Sequence, residues 1–528
     1  MDVLVVGGGV VGAGAALDAA SRGLTVGVVE QDDWASGTSS RSSRLAHGGL
    51  RYLEQREFGL VHEALTERGL LLEHLAPHLV RPVRFVLPLA KGWERPYVGA
   101  GVALYDMLAR FGARSGTLPG HRHLSRRAAL RLAPGLRPDA LAGAVTFFDA
   151  QIDDARHTLA TVRTALTHGA KAVSRVQVTE VVREGDRVVG VRAVDRLTGD
   201  DVEIKARVVV FATGVWGPVG EPASSAVAPS KGVHLVVRRS AVLSHTALIA
   251  RTGSSVLFCL PWEHHWLIGT TDTPWSGGLG VNEDTVVATD DDVDYLLAEA
   301  NRWLRRPLTR DDVVGVYAGL RPLVSDEPTD DTTKVSREHQ VARLAPGLVS
   351  VAGGKYTTYR VMAADVIDAA VAELPQRRRP GPSRTAALPL VGAEDFESVW
   401  QRRVTLAAEH DLSLDVLEHL LRRHGDQVFD VLALISASPH LGEALSPEVT
   451  YLKAEVEHAV RCEGAMLVAD VMSRRTRLRT EAPDGARAHA RAVAELMAEP
   501  LGWGDDDIDE AVDGYLGQPL VWQPRAPR

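Results

Sequence analysis

The stretch DVLVVGGGVVGAGAALDAASRGLTVGVVE, residues 2–30, reads as a strand, a glycine-rich turn, an alanine-rich helix and a second strand that ends in a carboxylate. Residues 2–6 are a short apolar run, 10–22 a helical stretch and 24–29 a second apolar run, which together make a β-α-β unit. Gly7, Gly9 and Gly12 fill the glycine positions of G-x-G-x-x-G. Gly7 allows the tight turn, Gly9 lets the backbone approach a pyrophosphate, and Gly12 lets the helix pack on the strand. The helix N-terminus faces such phosphates with the positive end of its dipole. Glu30 lies 23 residues past Gly7, where a carboxylate accepts hydrogen bonds from an adenosine ribose. The reading is dinucleotide binding at the start of an α/β fold.

Beyond this unit, helical patterns fall at 59–75, 95–111 and 153–166. From about 173 to 210 the sequence turns to β-branched alternation with a turn at EGDR, 184–187, which predicts a sheet. Further short strands are expected at 231–237, 256–260, 266–269, 313–318 and 348–352, the last running through Gly353-Gly354 into a helix over 359–373. PQRRRPGPSR, 375–384, is a linker by composition. The chain then reads as helices through VWQRRVTLAAEH (399–410), VLEHLLRRHG (416–425) and YLKAEVEHAVRCEGAMLVADVM (451–472), with no internal repeat.

A chain of 528 residues is too long for one average core and implies two or three domains. Hydrophobic content of 45% with 24% charged residues excludes a disordered chain. No apolar run reaches the roughly 18 residues of a spanning helix, so any membrane contact is expected to be peripheral. A net charge of −9 gives no electrostatic case for nucleic-acid binding. Only seven of the 59 basic residues are lysines, so single arginines carry little information here. Cys259 and Cys462 form no C-x-x-C pair, which argues against a cluster, a structural zinc or a disulfide framework and for a reducing, cytoplasmic compartment. The first residues read as strand and lack the regions of a signal peptide. No metal site is expected. His264-His265 and His121-Arg122-His123 read as solvent loops, and Thr289 before three aspartates as a helix start.

Nicotinamide and flavin cofactors share the glycine fingerprint, and two later stretches favour FAD. VVVFATGVWG, 208–217, is an apolar strand turning at Gly214, and LVSVAGGKYTTYR, 348–360, turns through Gly353, Gly354 and Thr357 into a helix. Each brings backbone N–H groups to the end of a parallel strand, where such sheets bind ligands. A long flavin needs contacts dispersed in this way, whereas a nicotinamide domain is complete within its first ~150 residues.

TSSRSSRLAHGGLRYLE (38–54), IDDAR (152–156), KGVHLVV (231–237), PWEHHWLIGTTDT (261–273), AGLRPL (318–323), VSREH (335–339) and GGKYTTYR (353–360) stand in order along the chain. With these stretches the sequence resembles the respiratory, flavin-dependent glycerol-3-phosphate dehydrogenase family, within the wider group that includes D-amino-acid and glycine oxidases. The resemblance runs essentially from residue 2 through the helical C-terminal part. It implies a Rossmann-type FAD-binding region over 1–374, interleaved with a β-sheet substrate domain mainly at 76–150 and 218–335. A linker at 375–387 and a helical domain at 388–528 follow. It implies non-covalent FAD, oxidation of sn-glycerol 3-phosphate, and transfer of electrons to a membrane quinone from the inner face of the cytoplasmic membrane. A homodimer belongs to the same expectation.

On that resemblance Ser39, Ser40, Ser42 and Ser43 run along the phosphate and ribityl region of the flavin. Gly48 and Gly49 bring backbone close to the ring, and His47, Arg51 and Tyr52 face the substrate. Read from the residues alone, the serines are turn and capping residues and Arg51 a structural or solvated arginine. Arg321, Arg337 and Lys355 are the further family-matched cations. Arg321 and Arg51 are assigned to the phosphate, and Lys355 to the phosphate or the developing carbonyl oxygen. His47 or His234 removes the hydroxyl proton, with His47 preferred. Val233 departs from the family, which has a small hydroxyl residue between Gly232 and His234. Residues 95–111, apolar with aromatic and arginine ends, fit an interfacial helix or a buried core helix. Two rival readings stay open: an oxidase that reduces O2, and a regulatory protein whose flavin reports redox state.

Overall fold

The computed structural model describes the chain apart from residues 113–117, 221–225, 253–255, 276, 278–285, 326–337, 447–448 and 523–528. Its first sheet has six strands in the spatial order His339–Ala345, Leu348–Gly353, Val208–Phe211, Val3–Val6, Val26–Val29, Lys171–Val173. All neighbours run parallel except the first pair. A parallel strand covered on both faces is apolar throughout, and VLVV, VGVV and VVVF are buried at every position. Alternate residues serve opposite faces. Val3, Val5, Val208 and Val210 pack under the helices Val10–Ser21, Asp154–Thr167 and Tyr359–Ala372. Leu4, Val6, Val209 and Phe211 pack against an antiparallel sheet of Val176–Glu184, Arg187–Asp195 and Asp201–Lys205. That sheet is the one the alternation around EGDR predicts.

A second, ten-stranded sheet is built mainly from the middle of the chain. Ala226–Arg238 pairs antiparallel with Val313–Ser325 on one side and His265–Gly269 on the other. Leu45–Ala46 forms the far end by pairing with Gly143–Ile152. Val80–Leu89 and Gly143–Ile152 pair along their full length, yet neither is among the strands expected from sequence. Pro82 and Pro88 break the signal in the first, since proline within a run argues against a strand. The helix expected over 95–111 is Glu94–Gly112, and it buries Val98, Val102 and Tyr105 against this sheet.

The helical C-terminal part holds two cores of its own, one around Leu417, Leu420 and Val431, the other around Val456, Met472 and Val493. Within the run 451–472 the helix Lys453–Glu463 stops at Gly464, which takes the left-handed conformation at φ 64°. The linker segment 375–384 is tied down: Arg378 reaches Asp2 at 3.2 Å, Arg379 donates to the Ala372 carbonyl at 2.6 Å, and Ser383 bonds Asp18. The seam between this part and the first sheet is ionic: Arg475 holds Asp33, Arg156 holds Glu463, and Arg175 holds Asp470. No helix among the described residues is long and apolar enough to cross a membrane.

Candidate active site

A cavity of about 1220 Å³ lies between the strand ends of the first sheet and the face of the second. Gly7, Gly9, Glu30, Gly214, Gly353 and Gly354 line its sheet-end side. Gly7 sits at φ 111°, and a β-carbon there would lie 2.5 Å from the Ala212 carbonyl oxygen, so the turn admits no other residue. At Gly12, outside the cavity, a β-carbon would meet the Gly7 carbonyl at 1.9 Å, which is the close helix–strand packing the motif requires. At Gly9 it would meet only the Ser39 hydroxyl, at 3.2 Å, so the room above this turn belongs to the cavity. The Glu30 carboxylate accepts from the backbone N–H of Gly8 at 2.6 Å and of Asp32 at 2.9 Å. Burial outweighs these bonds and pushes its carboxyl up to about 7. The cavity exceeds the usual range of ligand sites and carries a helix N-terminus, a glycine floor and a carboxylate, so FAD fits it.

The segment 39–54 leaves the first sheet after Val26–Val29 and crosses to the second, where it becomes Leu45–Ala46. Ser39, Ser42 and Ser43 line the cavity, and Ser40 does not. Their hydroxyls have protein partners: Ser39 accepts from the Val10 N–H at 2.9 Å, Ser42 donates to Asp154 at 2.7 Å, and Ser43 bonds His234 Nε2 at 2.8 Å. The Ser40 hydroxyl turns back to the Gly37 carbonyl at 3.4 Å. Gly48 is held away from the cavity, its N–H donating to the Tyr105 hydroxyl at 2.8 Å and its α-carbon facing Leu65. Gly49 lines the cavity. Thr357 clamps the His47 backbone, accepting from its N–H at 3.1 Å and donating to its carbonyl at 3.3 Å.

His47, Arg51, Tyr52, His234, Arg321 and Lys355 all line this one cavity. Strand register places His234 opposite Tyr317 and Ser230 opposite Arg321. The His234 ring is stacked on Tyr317, with centroids 4.8 Å apart and planes at 10°. Burial, with help from the charges of Arg321 and Arg44, lowers its pKa to about 3, so the imidazole is neutral. The Arg321 fork donates to Thr270 Oγ1 at 2.9 Å and the Thr271 carbonyl at 3.0 Å, with Ser230 and Asp272 each at 3.4 Å. Lys355 Nζ stands 3.7 Å from the centroid of the Tyr52 ring. Arg337 lies outside the described residues. Val233 is fully buried among apolar side chains, and its backbone N–H donates to Thr271 Oγ1 at 3.0 Å.

Sequence reasoning missed Ser43 as partner of His234, Tyr317 as its platform, and Arg44, which is buried 4.1 Å over the Trp262 ring. Long-range strand register brings them together, and no local pattern encodes it. Thr289 forms a capping box with Asp292, which also takes Lys231 at 2.6 Å. Among the described residues one buried trio, His424, His458 and Glu463, has ligand atoms close enough for a metal, but Arg156 occupies Glu463 at 2.7 Å.

A model of FAD dependent oxidoreductases matches residues 2–360, and one of the C-terminal domain of alpha-glycerophosphate oxidase matches 383–508. The chain is 50% identical to a glycerol-3-phosphate dehydrogenase of Mycobacterium leprae over 97% of its own length and 87% of that protein. It is 37% identical to the mitochondrial glycerol-3-phosphate dehydrogenase of Bos taurus, over 97% of this chain and 72% of the other. The solved glycerol-3-phosphate dehydrogenase of Bacillus halodurans, complexed with FAD, superposes with a TM-score of 0.78 at 29% identity, covering 98% of this chain and 94% of that one. The cradle for a dinucleotide, the continuous likeness to these enzymes and the matching C-terminal region agree, and the chain belongs to the FAD-dependent glycerol-3-phosphate dehydrogenase family.

Proposed function

We propose that this protein oxidises sn-glycerol 3-phosphate to dihydroxyacetone phosphate with bound FAD and passes the electrons to a membrane quinone at the cytoplasmic surface of the membrane. The observation that carries the reading is the meeting of Arg51, Arg321 and Lys355 with a neutral, buried histidine in the cavity that holds the dinucleotide cradle. A phosphomonoester dianion needs fixed cations, and the planar fork of arginine meets it in two bonds. The Arg321 fork is already oriented by Thr270 and Thr271, so little is spent in ordering it. The secondary alcohol needs a group to take its proton. His47, fixed by its backbone, and His234, neutral and tied to Ser43 but made a weak base by its burial, are the histidines within the cavity that can take it. Bound FAD supplies the two-electron acceptor.

The rim of the cavity favours a lipid-soluble acceptor for the second half-reaction. Phe58 and Tyr97 line the cavity and are also 45% and 55% exposed, and Trp93, one helical turn before Tyr97 on the chain, is 65% exposed. Aromatic side chains of this kind suit a membrane interface, where a lipid-soluble quinone would arrive. The decisive assay supplies glycerol 3-phosphate and an artificial electron acceptor under nitrogen. Reduction that depends on glycerol 3-phosphate is expected, and none overturns the reading. Mixing the reduced protein with a quinone or with air then separates a dehydrogenase from an oxidase.

A further inference from the structure

Among the described residues nothing beyond Met362 lines the cavity, yet one arginine of the helical C-terminal part ends directly behind its wall. Arg477 is 2% exposed. Its Nη1 donates to the Ser40 carbonyl at 3.1 Å, and its Nη2 donates to Asp153 at 2.7 Å and to Asp154. Burial would raise the Asp153 carboxyl, but Arg477, Arg423 and Arg44 more than offset it and hold it well below the usual carboxylate range. Asp154 is fully buried and spends its second oxygen on Ser42, accepting from the backbone N–H at 3.0 Å and the hydroxyl at 2.7 Å. The Ser42 carbonyl in turn accepts from the Tyr317 hydroxyl at 3.0 Å, and the Tyr317 ring carries His234. Ser43, the next residue, bonds His234 itself. A short run of backbone is thus gripped from outside by one guanidinium and one carboxylate, and both of its consequences meet at the same imidazole.

We infer that Arg477 is a positioning residue for the active site, fixing the segment 40–43 and, through Ser42, Ser43 and Tyr317, the orientation of His234. The helical C-terminal part therefore completes the catalytic centre without touching it. The inference rests on the reading of His234 as a residue facing substrate. It differs from a plain seam contact, and Arg156 supplies the comparison. Arg156 binds the same two parts together through Glu463 and the Arg423 carbonyl, with its side chain bonded to nothing in segment 40–43.

The test uses full-length, flavin-loaded protein and the variants Arg477→Met, Arg477→Lys, Ser42→Ala and Arg156→Met, comparing kcat, KM, the visible flavin spectrum and the melting temperature. Arg477→Met is expected to lower kcat about tenfold or more while KM stays within about threefold, since misplacement of a reacting group acts on the chemical step. Its flavin spectrum shifts as well. Lysine at 477 restores part of kcat, because it brings the charge without the fork. Ser42→Ala lowers kcat less, in the same direction. Arg156→Met melts lower and keeps the wild-type kcat. Equal kcat in Arg477→Met and Arg156→Met, or a wild-type kcat and spectrum in Ser42→Ala, overturns the inference. If Arg477→Met does not fold, Arg477→Lys and Ser42→Ala decide on the same terms. A wild-type protein that holds flavin but does not oxidise glycerol 3-phosphate breaks the functional reading alone. The flavin spectra of Arg477→Lys and Ser42→Ala then still judge Arg477, and spectra identical to wild type count against it.

Discussion

A side chain at Gly9 meets little protein, whereas one at Gly12 collides with the Gly7 carbonyl, and this difference separates a cofactor contact from a packing contact. Gly9→Val is expected to fold, to melt like flavin-stripped wild type and to purify colourless. Gly12→Val is expected not to fold. Full flavin content in Gly9→Val would remove the cofactor from this turn. At Arg321 the question is whether the fork reads phosphate. Arg321→Met is expected to cost roughly 30- to several thousand-fold in kcat/KM for glycerol 3-phosphate, the loss of a charge-assisted contact worth about 2–5 kcal/mol. Lysine should recover only part. Slow turnover of glycerol is the control, and an equal loss for both substrates would take the phosphate away from Arg321. That Gly9 and Arg321 line one cavity was legible from sequence, because a motif or a family match names single positions. The serines were legible only in part. Their hydroxyls are bonded to Val10, Asp154 and His234, partners that lie 29, 112 and 191 residues away.

The helix Glu94–Gly112, which the sequence fits to an interfacial or a buried core helix, has a core face in the structure. One face, with Val98, Val102 and Tyr105, is core, while Tyr97 and Met107 remain 55% and 46% exposed. Val102 is fully buried and so cannot serve as a probe of lipid contact. A glutamate there is expected to unfold the region, since an unpaired charge in an apolar core is costly. Trp93→Ser with Met107→Ser, both exposed and outside the cavity lining, is the suitable test, expected to weaken flotation with liposomes while leaving kcat with a soluble acceptor unchanged. Undiminished flotation would place the membrane contact elsewhere. Elements with a clear pattern were readable in this way, including Val3–Val6, Val26–Val29, Val208–Phe211 and Leu348–Gly353 of the first sheet and the helices around them, whereas its strands Lys171–Val173 and His339–Ala345 were not. Strands Val80–Leu89 and Gly143–Ile152 were not, as prolines and burial on both faces erase the alternation that marks a strand.

For the molecule as a whole, buried histidines set the acid limit. Burial lowers His78, His157 and His234 to about 3, and lowers His424 and His458 as well. The unfolded chain takes up protons on these groups near pH 6.5 and the folded one does not, so their contribution is complete above that pH and is lost as the pH falls toward 3. Each of the first three costs on the order of 2 kcal/mol between pH 6.5 and 5. Glu30 acts in the opposite sense: raised to about 7, it adds stability to flavin-free protein as the pH falls from 7 to 4.5. One carboxyl does not offset several imidazoles. Flavin-free protein is expected to melt markedly lower at pH 5 than at pH 7, with net proton uptake on unfolding in calorimetry at pH 5.5. Equal melting at the two pH values would show these histidines to be solvated.

The strand order of the first sheet also governs how the protein can be made. Val3–Val6 is made before both of its neighbours in the sheet, Val26–Val29 and Val208–Phe211, and the latter waits for Leu348–Gly353. The cradle for FAD thus closes only once Leu348–Gly353 has been synthesised. Until then the nascent polypeptide presents VVVF as an unpaired apolar edge, a state prone to aggregation. Ribosome-stalled chains ending before residue 348 are expected to bind no FAD and to recruit chaperones, and flavin supply cannot rescue translation products cut short before that point.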